Sequence, residues 1–193
     1  MPRTKQFDQG KVLEKAMNLF WEKGYHATSM QDLIDGLGIN RASLYDTYGS
    51  KKELYDLALN KYIDQNAKVI AGFLYYQTNV RQGFYLLFER MIDDALNDKK
   101  PRGCFTINAI SELAVTDENV KQSVSQDQLV LEEIYVNYLQ YGVNHGQISP
   151  YKDLKAISSY LIALQNGIKV LSKVQPSKDE LLRVVSTGLA VLD

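Results

Sequence analysis

Apolar positions recur at helical spacing along nearly all of the 193 residues, and no stretch shows the period of two that marks a strand. The pattern predicts an all-α chain of about nine helices. The first runs from about Asp8 to Lys23, with Val12, Leu13, Ala16, Met17, Leu19, Phe20 and Trp21 as its apolar stripe and Gly24 as its stop. A short second helix follows in TSMQDLIDGLG, where Ser29 is an N-cap with Asp32 three residues on, and Leu33, Ile34 and Leu37 face inward. Gly38 supplies the positive φ of a tight turn, and Asn40 caps a third helix through about Thr47. Ser50 and Glu53 have the spacing of a capping box that opens a fourth. Longer helices are expected over about 51–72, 80–97, 104–114, 118–145, 152–174 and 177–191. The four prolines, Pro2, Pro101, Pro150 and Pro176, fall between these segments, and NDKKPRG and GQISP are the clearest loops.

Two short helices joined by a turn containing Gly38 match the helix-turn-helix pattern. At 100° per residue, Leu44 and Tyr48 share the face that packs on the first two helices, while Ala42, Tyr45 and Asp46 point away with Ser43 beside them. A small Ala42 lets the helix approach base edges, and Arg41 can donate twice to a guanine or hold a phosphate. Ser43 and Tyr45 offer hydroxyls to phosphate oxygens, and Lys51 opens the next helix close to the same backbone.

The spacing of Phe20, Gly24, Tyr25, Thr28, Ser29, Gly38, Ile39, Asn40, Leu44, Tyr45, Tyr48, Lys51 and Leu54 resembles the signature of the TetR family of bacterial transcriptional regulators over about residues 10–58. The resemblance implies a helix-turn-helix DNA-binding domain at residues 1–50 and a helical ligand-binding and dimerisation domain at 51–193. It makes Arg41, Ala42 and Ser43 the reading residues and Thr28, Tyr45, Tyr48 and Lys51 the phosphate anchors, with Ser29 and Asn40 in the same contact region. It also makes helix 51–72 the lever between head and body. Asp46 departs from the family pattern, which often has an aromatic or histidine there. Its carboxylate either accepts from a cytosine amine or lowers affinity for non-specific DNA, the second being preferred. Arg3 and Lys5, in an N-terminal arm, either add phosphate or minor-groove contacts or form a plain tail.

Beyond residue 60 the resemblance weakens. RGCFTINAISEL resembles the G-C-x-x-x-N-x-x-x-E helix of one TetR-like subgroup, and Cys104, Asn108 and Glu112 share one helix face. That polar stripe, with the adjacent Phe105, either faces a ligand cavity or bonds to neighbouring helices. The aromatics between residues 70 and 145, Phe88, Tyr135 and Tyr138 among them, serve as core or as cavity lining. Cys104 is either a sensor of electrophiles or oxidants or, preferentially, a buried inert thiol. The last two helices are apolar around more than one face, and the family implies a four-helix dimer interface from them. Tyr160, Leu164, Ile168, Leu171, Leu181, Val185 and Leu189 are the candidate contacts.

Net charge is −1, with nine Lys/Arg against eight Asp/Glu in residues 1–61 and thirteen against fifteen in 62–193. Any nucleic acid must therefore be held by local contacts, not by a basic surface. A single cysteine excludes an internal disulfide, no apolar run is long enough to cross a membrane, and the N-terminus lacks a secretory pattern. These features predict a cytoplasmic protein. His26 and His145 have no partners at ligand spacing, so no metal or cofactor is expected. No nucleophile–base pair or glycine-rich phosphate loop points to an enzyme. The expected function is a ligand-responsive, homodimeric repressor of a palindromic double-stranded operator, released by a small-molecule effector. The alternatives are an activator and a helical adaptor that keeps the head as scaffold.

Overall fold

The computed structural model describes residues 7–100, 102–174 and 177–193; Arg3 and Lys5 lie outside them. Nine α-helices follow in order among the described residues: α1 Gln9–Lys23, α2 Met30–Leu37, α3 Arg41–Tyr48, α4 Lys51–Tyr75, α5 Val80–Asn97, α6 Phe105–Glu112, α7 Glu118–Asn144, α8 Leu154–Leu171 and α9 Lys178–Gly188. Short 3₁₀ turns follow α8 and α9 at Ser172–Val174 and Leu189–Leu192.

Local chemistry sets most of the boundaries. Asp8, Ser29, Asn40, Asn79, Asp117, Asp153 and Ser177 each cap the helix that follows with a side-chain oxygen. Ser29 and Asp32 form a complete capping box. Ser50 caps α4 through the Glu53 N–H, but the Ser50 N–H goes to the Tyr48 carbonyl and the Glu53 side chain lies over Gly49. The box expected there is therefore half built. Helix α4 also runs past Gly72 to Tyr75. The glycine costs about 1 kcal/mol in a helix interior, and the 2% exposed Leu74 secures the extra turn by burial.

The apolar faces assemble into two clusters. The first joins α1–α3 to the first half of α4 and to α6: Phe20, Leu33, Leu44, Tyr55, Leu59 and Phe105 are buried in it, with Val120 from the start of α7. The second is built from the rest of α4 with α5, α7, α8 and α9 around Phe84, Phe88, Tyr135 and Leu161. Thus α4 threads both cores, and α6, although late in the chain, packs with the N-terminal helices. No helix among the described residues is long and apolar enough to cross a membrane.

Candidate nucleic-acid interface

The turn between α2 and α3 is closed by Gly38 at φ 70°, and α3 begins with Asn40 Oδ1 accepting the Ser43 N–H at 2.8 Å. Burial of Leu44 at 0% and Tyr48 at 7% exposure fixes the rotation of α3. Arg41, Ala42, Tyr45 and Asp46 are consequently exposed, with Ser43 half-buried beside them. The Arg41 guanidinium sits 5.7 Å from the Tyr45 ring centre, which pre-orients both side chains on one edge. Ser29 is exposed at the start of α2. Lys51 is half-buried at the first position of α4, its Nζ 4.4 Å from the Tyr25 ring centre. Burial lowers the Lys51 ammonium, while Glu112 and Asp32 pull it back toward protonation.

Two expected phosphate anchors are turned inward. Thr28 is fully buried, and its hydroxyl donates to the Gly24 carbonyl at 2.5 Å, so it holds the α1–α2 loop. The Tyr48 hydroxyl donates to the Gln9 carbonyl at 3.0 Å and pins α3 to the start of α1. Both hydroxyls are used inside the head, and neither is presented on the surface that carries Arg41.

The same loop receives a contact from the body. Glu112, the last residue of α6, accepts the Tyr25 N–H at 2.9 Å and the His26 N–H at 2.7 Å. Gly24 at φ 81° lets the carboxylate in, since a Cβ there would stand 2.9 Å from Glu112 Oε2. A second tie runs from Trp21 Nε1 to the Gly103 carbonyl at 2.9 Å. Glu112 thus belongs to a head–body joint rather than to a ligand cavity.

The other body candidates are redistributed as well. Asn108 donates to the Arg102 carbonyl at 2.9 Å and accepts from Lys173 at 2.5 Å, so it ties the loop before α6 to the 3₁₀ turn after α8. Phe105 stacks edge-on with Tyr55 and Tyr62 in the first core. Phe88, Tyr135 and Tyr138 pack in the second core, where Tyr138 donates to the Gln77 and Asn79 carbonyls and Tyr135 to Gln165. Their hydroxyls are satisfied within the fold, which is why these tyrosines are tolerated as core.

Two of the cavities among the described residues adjoin the start of α6. An outer cleft of about 550 Å³ is lined by Trp21, Tyr62, Met91, Arg102, Cys104 and Lys169, among others. An inner pocket of about 160 Å³ lies between α6, α7 and α8. Of the expected ligand residues, Cys104 reaches both; it is 5% exposed, with Tyr62 Oη at 3.6 Å and Lys169 Nζ at 3.8 Å from its sulfur. The inner pocket is walled in part by Thr106, Asp127, Gln165 and Lys169, none of which stands out in the motif pattern of the sequence. Asp127 interrupts the apolar stripe of Val120, Val124 and Leu131, and Gln165 that of Leu161, Ile162 and Ile168. Those interruptions were the available signal.

On α8 and α9 the expected interface divides. Ile168, Leu181, Val185 and Leu189 are buried in the chain's own second core and cannot reach a partner. Tyr160 and Leu171 are exposed, Leu164 is half-buried, and Val184 joins them on the surface. Tyr160, Leu164, Val184 and Gly188 line a shallow groove there.

Comparison with known proteins agrees with this architecture. Residues 12–58 match the family described as bacterial regulatory proteins, tetR family, and residues 85–187 match the tetracyclin repressor-like C-terminal domain. The HTH-type transcriptional regulator YezE of Bacillus subtilis (strain 168) is 29% identical over the whole of both chains. The HTH-type transcriptional repressor ComR of Escherichia coli (strain K12) is 27% identical over 97% of this chain and 90% of that protein. Among solved structures, a cysteine mutant of the TetR family regulator CifR with 26-bp double-strand operator DNA superposes at TM-score 0.84. It is 26% identical and covers 97% of this chain and 98% of that one. The chain belongs to the TetR family of bacterial regulatory proteins, and is a helix-turn-helix DNA-binding transcriptional regulator rather than an enzyme.

Proposed function

We propose that this regulator is a homodimeric repressor. It places α3 of each subunit in the major groove of a palindromic operator and leaves that operator when a small molecule binds the body. Arg41, Ala42, Ser43 and Tyr45 are the groove-facing residues, with Asp46 restraining non-specific affinity. Lys51, Ser29 and the capped start of α3 at Asn40 hold the phosphates. Two-fold symmetry asks for half-sites one helical turn apart, roughly 34 Å. The relatives named as repressors and the operator complex of CifR support the same reading.

The observation that carries ligand response is the Glu112 joint. Helix α6 walls the inner pocket with Thr106, Ile107 and Ile110, and its last residue grips the loop that leads into α2. A ligand that shifts α6 therefore moves the helix-turn-helix as well. Release requires that the ligand prefer the conformer whose heads no longer fit the operator spacing.

The test is fluorescence anisotropy with labelled duplexes from the DNA flanking the protein's own gene. Specific, salt-sensitive binding of two subunits per palindrome is expected. No sequence preference at moderate salt would sink the repressor reading.

A further inference from the structure

Three polar side chains on the wall of the inner pocket each carry one buried atom without a hydrogen-bond partner. Asp127 of α7, Thr106 of α6 and Gln165 of α8 are 4%, 6% and 1% exposed. Asp127 Oδ1, Thr106 Oγ1 and Gln165 Nε2 make no hydrogen bond. They come from three helices and line one cavity of about 160 Å³. An orphaned buried polar group destabilises a fold, and native proteins keep few of them. Three on one cavity wall concentrate that cost where an occupant relieves it.

The roles of the three groups are set by their surroundings. Tyr135 is fully buried and its phenol is raised by that burial, so it remains a donor and takes Gln165 Oε1. Gln165 Nε2 is left as a donor. Asp127 is an acceptor when ionised; burial raises its carboxyl, and the Lys169 ammonium and then the neighbouring Thr106 hydroxyl oppose that rise. The Asp127 and Lys169 charges offset one another, which disfavours both an anionic and a cationic guest. The remaining wall mixes apolar side chains, Ile107, Val124, Leu131 and Ile162, with the polar Gln128, Ser159 and Asn166. At about 30 Å³ per water the space holds about five waters, or an organic molecule of roughly six to eight non-hydrogen atoms.

We propose that this pocket binds a small neutral molecule with an amide-like donor–acceptor edge, its N–H donating to Asp127 and its carbonyl accepting from Gln165 Nε2. The Thr106 hydroxyl, which both donates and accepts, serves whichever edge is left. This names the effector class for the repressor proposed above and rests on that reading only for its consequence, release of DNA.

The probe is 2-pyrrolidinone, a lactam of about six non-hydrogen atoms, titrated into the full chain and followed by ligand-observed NMR and thermal unfolding. Its N-methyl analogue keeps the carbonyl and lacks the N–H. The lactam is expected to bind in the millimolar range and the analogue roughly tenfold more weakly or worse, because the unmet Asp127 acceptor penalises it. Asp127→Leu and Thr106→Val are expected to lose lactam binding while melting roughly 2–4 °C higher, since each replaces an orphaned polar group by an apolar one. Equal binding of lactam and analogue, binding that survives both substitutions, or no uptake by the wild type overturns the proposal. Operator binding is measured separately without the lactam. If it is present while the lactam fails, this proposal falls and the repressor reading stands. If it is absent while the lactam binds as expected, the pocket stands and the repressor reading falls.

Discussion

Glu112, at the end of α6, accepts the backbone N–H of His26 at 2.7 Å across 86 positions of sequence, and its second oxygen takes the N–H of Tyr25 at 2.9 Å. A carboxylate accepting two N–H groups at once is a strong, oriented tie. It anchors the loop from which α2, and through it α3, departs. Glu112→Ala should cost about 2 kcal/mol, after discounting charge-assisted bonds for partial exposure, and lower the melting temperature by roughly 4–8 °C. Operator affinity should fall with it. Gly24→Ala should do at least as much damage, because the new methyl enters the carboxylate's place in a left-handed backbone. Circular dichroism melts and anisotropy on the same samples check both; wild-type values in each would remove Glu112 from the joint.

Under the proposed reading, Arg41 reads a base and Lys51 holds a phosphate. Arg41 is exposed on the free edge of α3, whereas Lys51 is half-buried against Tyr25. Arg41→Ala should lose about 1–3 kcal/mol of discrimination at one base pair. Lys51→Ala should weaken binding to all duplexes alike and reduce the slope of log K against log salt by about one unit. Salt titrations on matched and mismatched operators distinguish the two. Identical behaviour of both variants and wild type would show that the groove is read by another surface.

Tyr48→Phe tests an inward-facing assignment. Its hydroxyl bonds to the Gln9 carbonyl, and burial raises the phenol above its ordinary range. Removing it should cost about 0.5–1.5 kcal/mol of stability and leave the salt slope unchanged. A reduced slope at full stability would return Tyr48 to the phosphate-binding set.

The head was legible in the sequence because capping and turn chemistry are local. Ser29, Gly38 and Asn40 announce the helix-turn-helix, and the 3.6-residue period places Leu44 and Tyr48 inward. Ser50 shows the limit of that reasoning: its spacing to Glu53 is right, but its own N–H is taken by Tyr48. The body was less legible because spacing shows which residues share a face and not what the face meets. Asn108 and Glu112 lie along one side of α6 with Cys104 just before its start, yet the three meet a loop tie, the head and a cavity edge respectively. Tyrosine richness likewise did not distinguish core from cavity, because the hydroxyl partners of Tyr135 and Tyr138 lie far away in sequence.

Acid should loosen the start of α2. Asp32 is held well below the ordinary carboxylate range, first by the Lys23 ammonium at 2.5 Å and then by Ser29. A carboxyl lowered on folding contributes stability fully above its unfolded value, and loses it as pH falls through and below that range. Melting temperature should therefore decline on the acid side, and Asp32→Asn should flatten that decline while lowering the plateau near neutrality. An acid limb identical in the two proteins would assign the loss to other carboxylates.

The outer faces of α8 and α9 give the sharpest contrast between neighbouring residues. Val184 is 40% exposed and Leu171 46%, on the surfaces of α9 and α8, whereas Val185 is fully buried in the chain's own core. If two copies meet over the groove that Tyr160, Leu164 and Val184 line, a charge at Val184 or Leu171 is desolvated only in the dimer. Val184→Glu with Leu171→Glu should leave the monomer folded and shift sedimentation from dimer to monomer at micromolar concentration. It should also weaken binding to the full palindrome far more than to a single half-site, since two heads on one rigid frame bind with a high effective concentration. Val185→Glu places the same charge among Leu181 and Leu189 and should prevent folding. A double variant that stays dimeric would move the interface off α8 and α9.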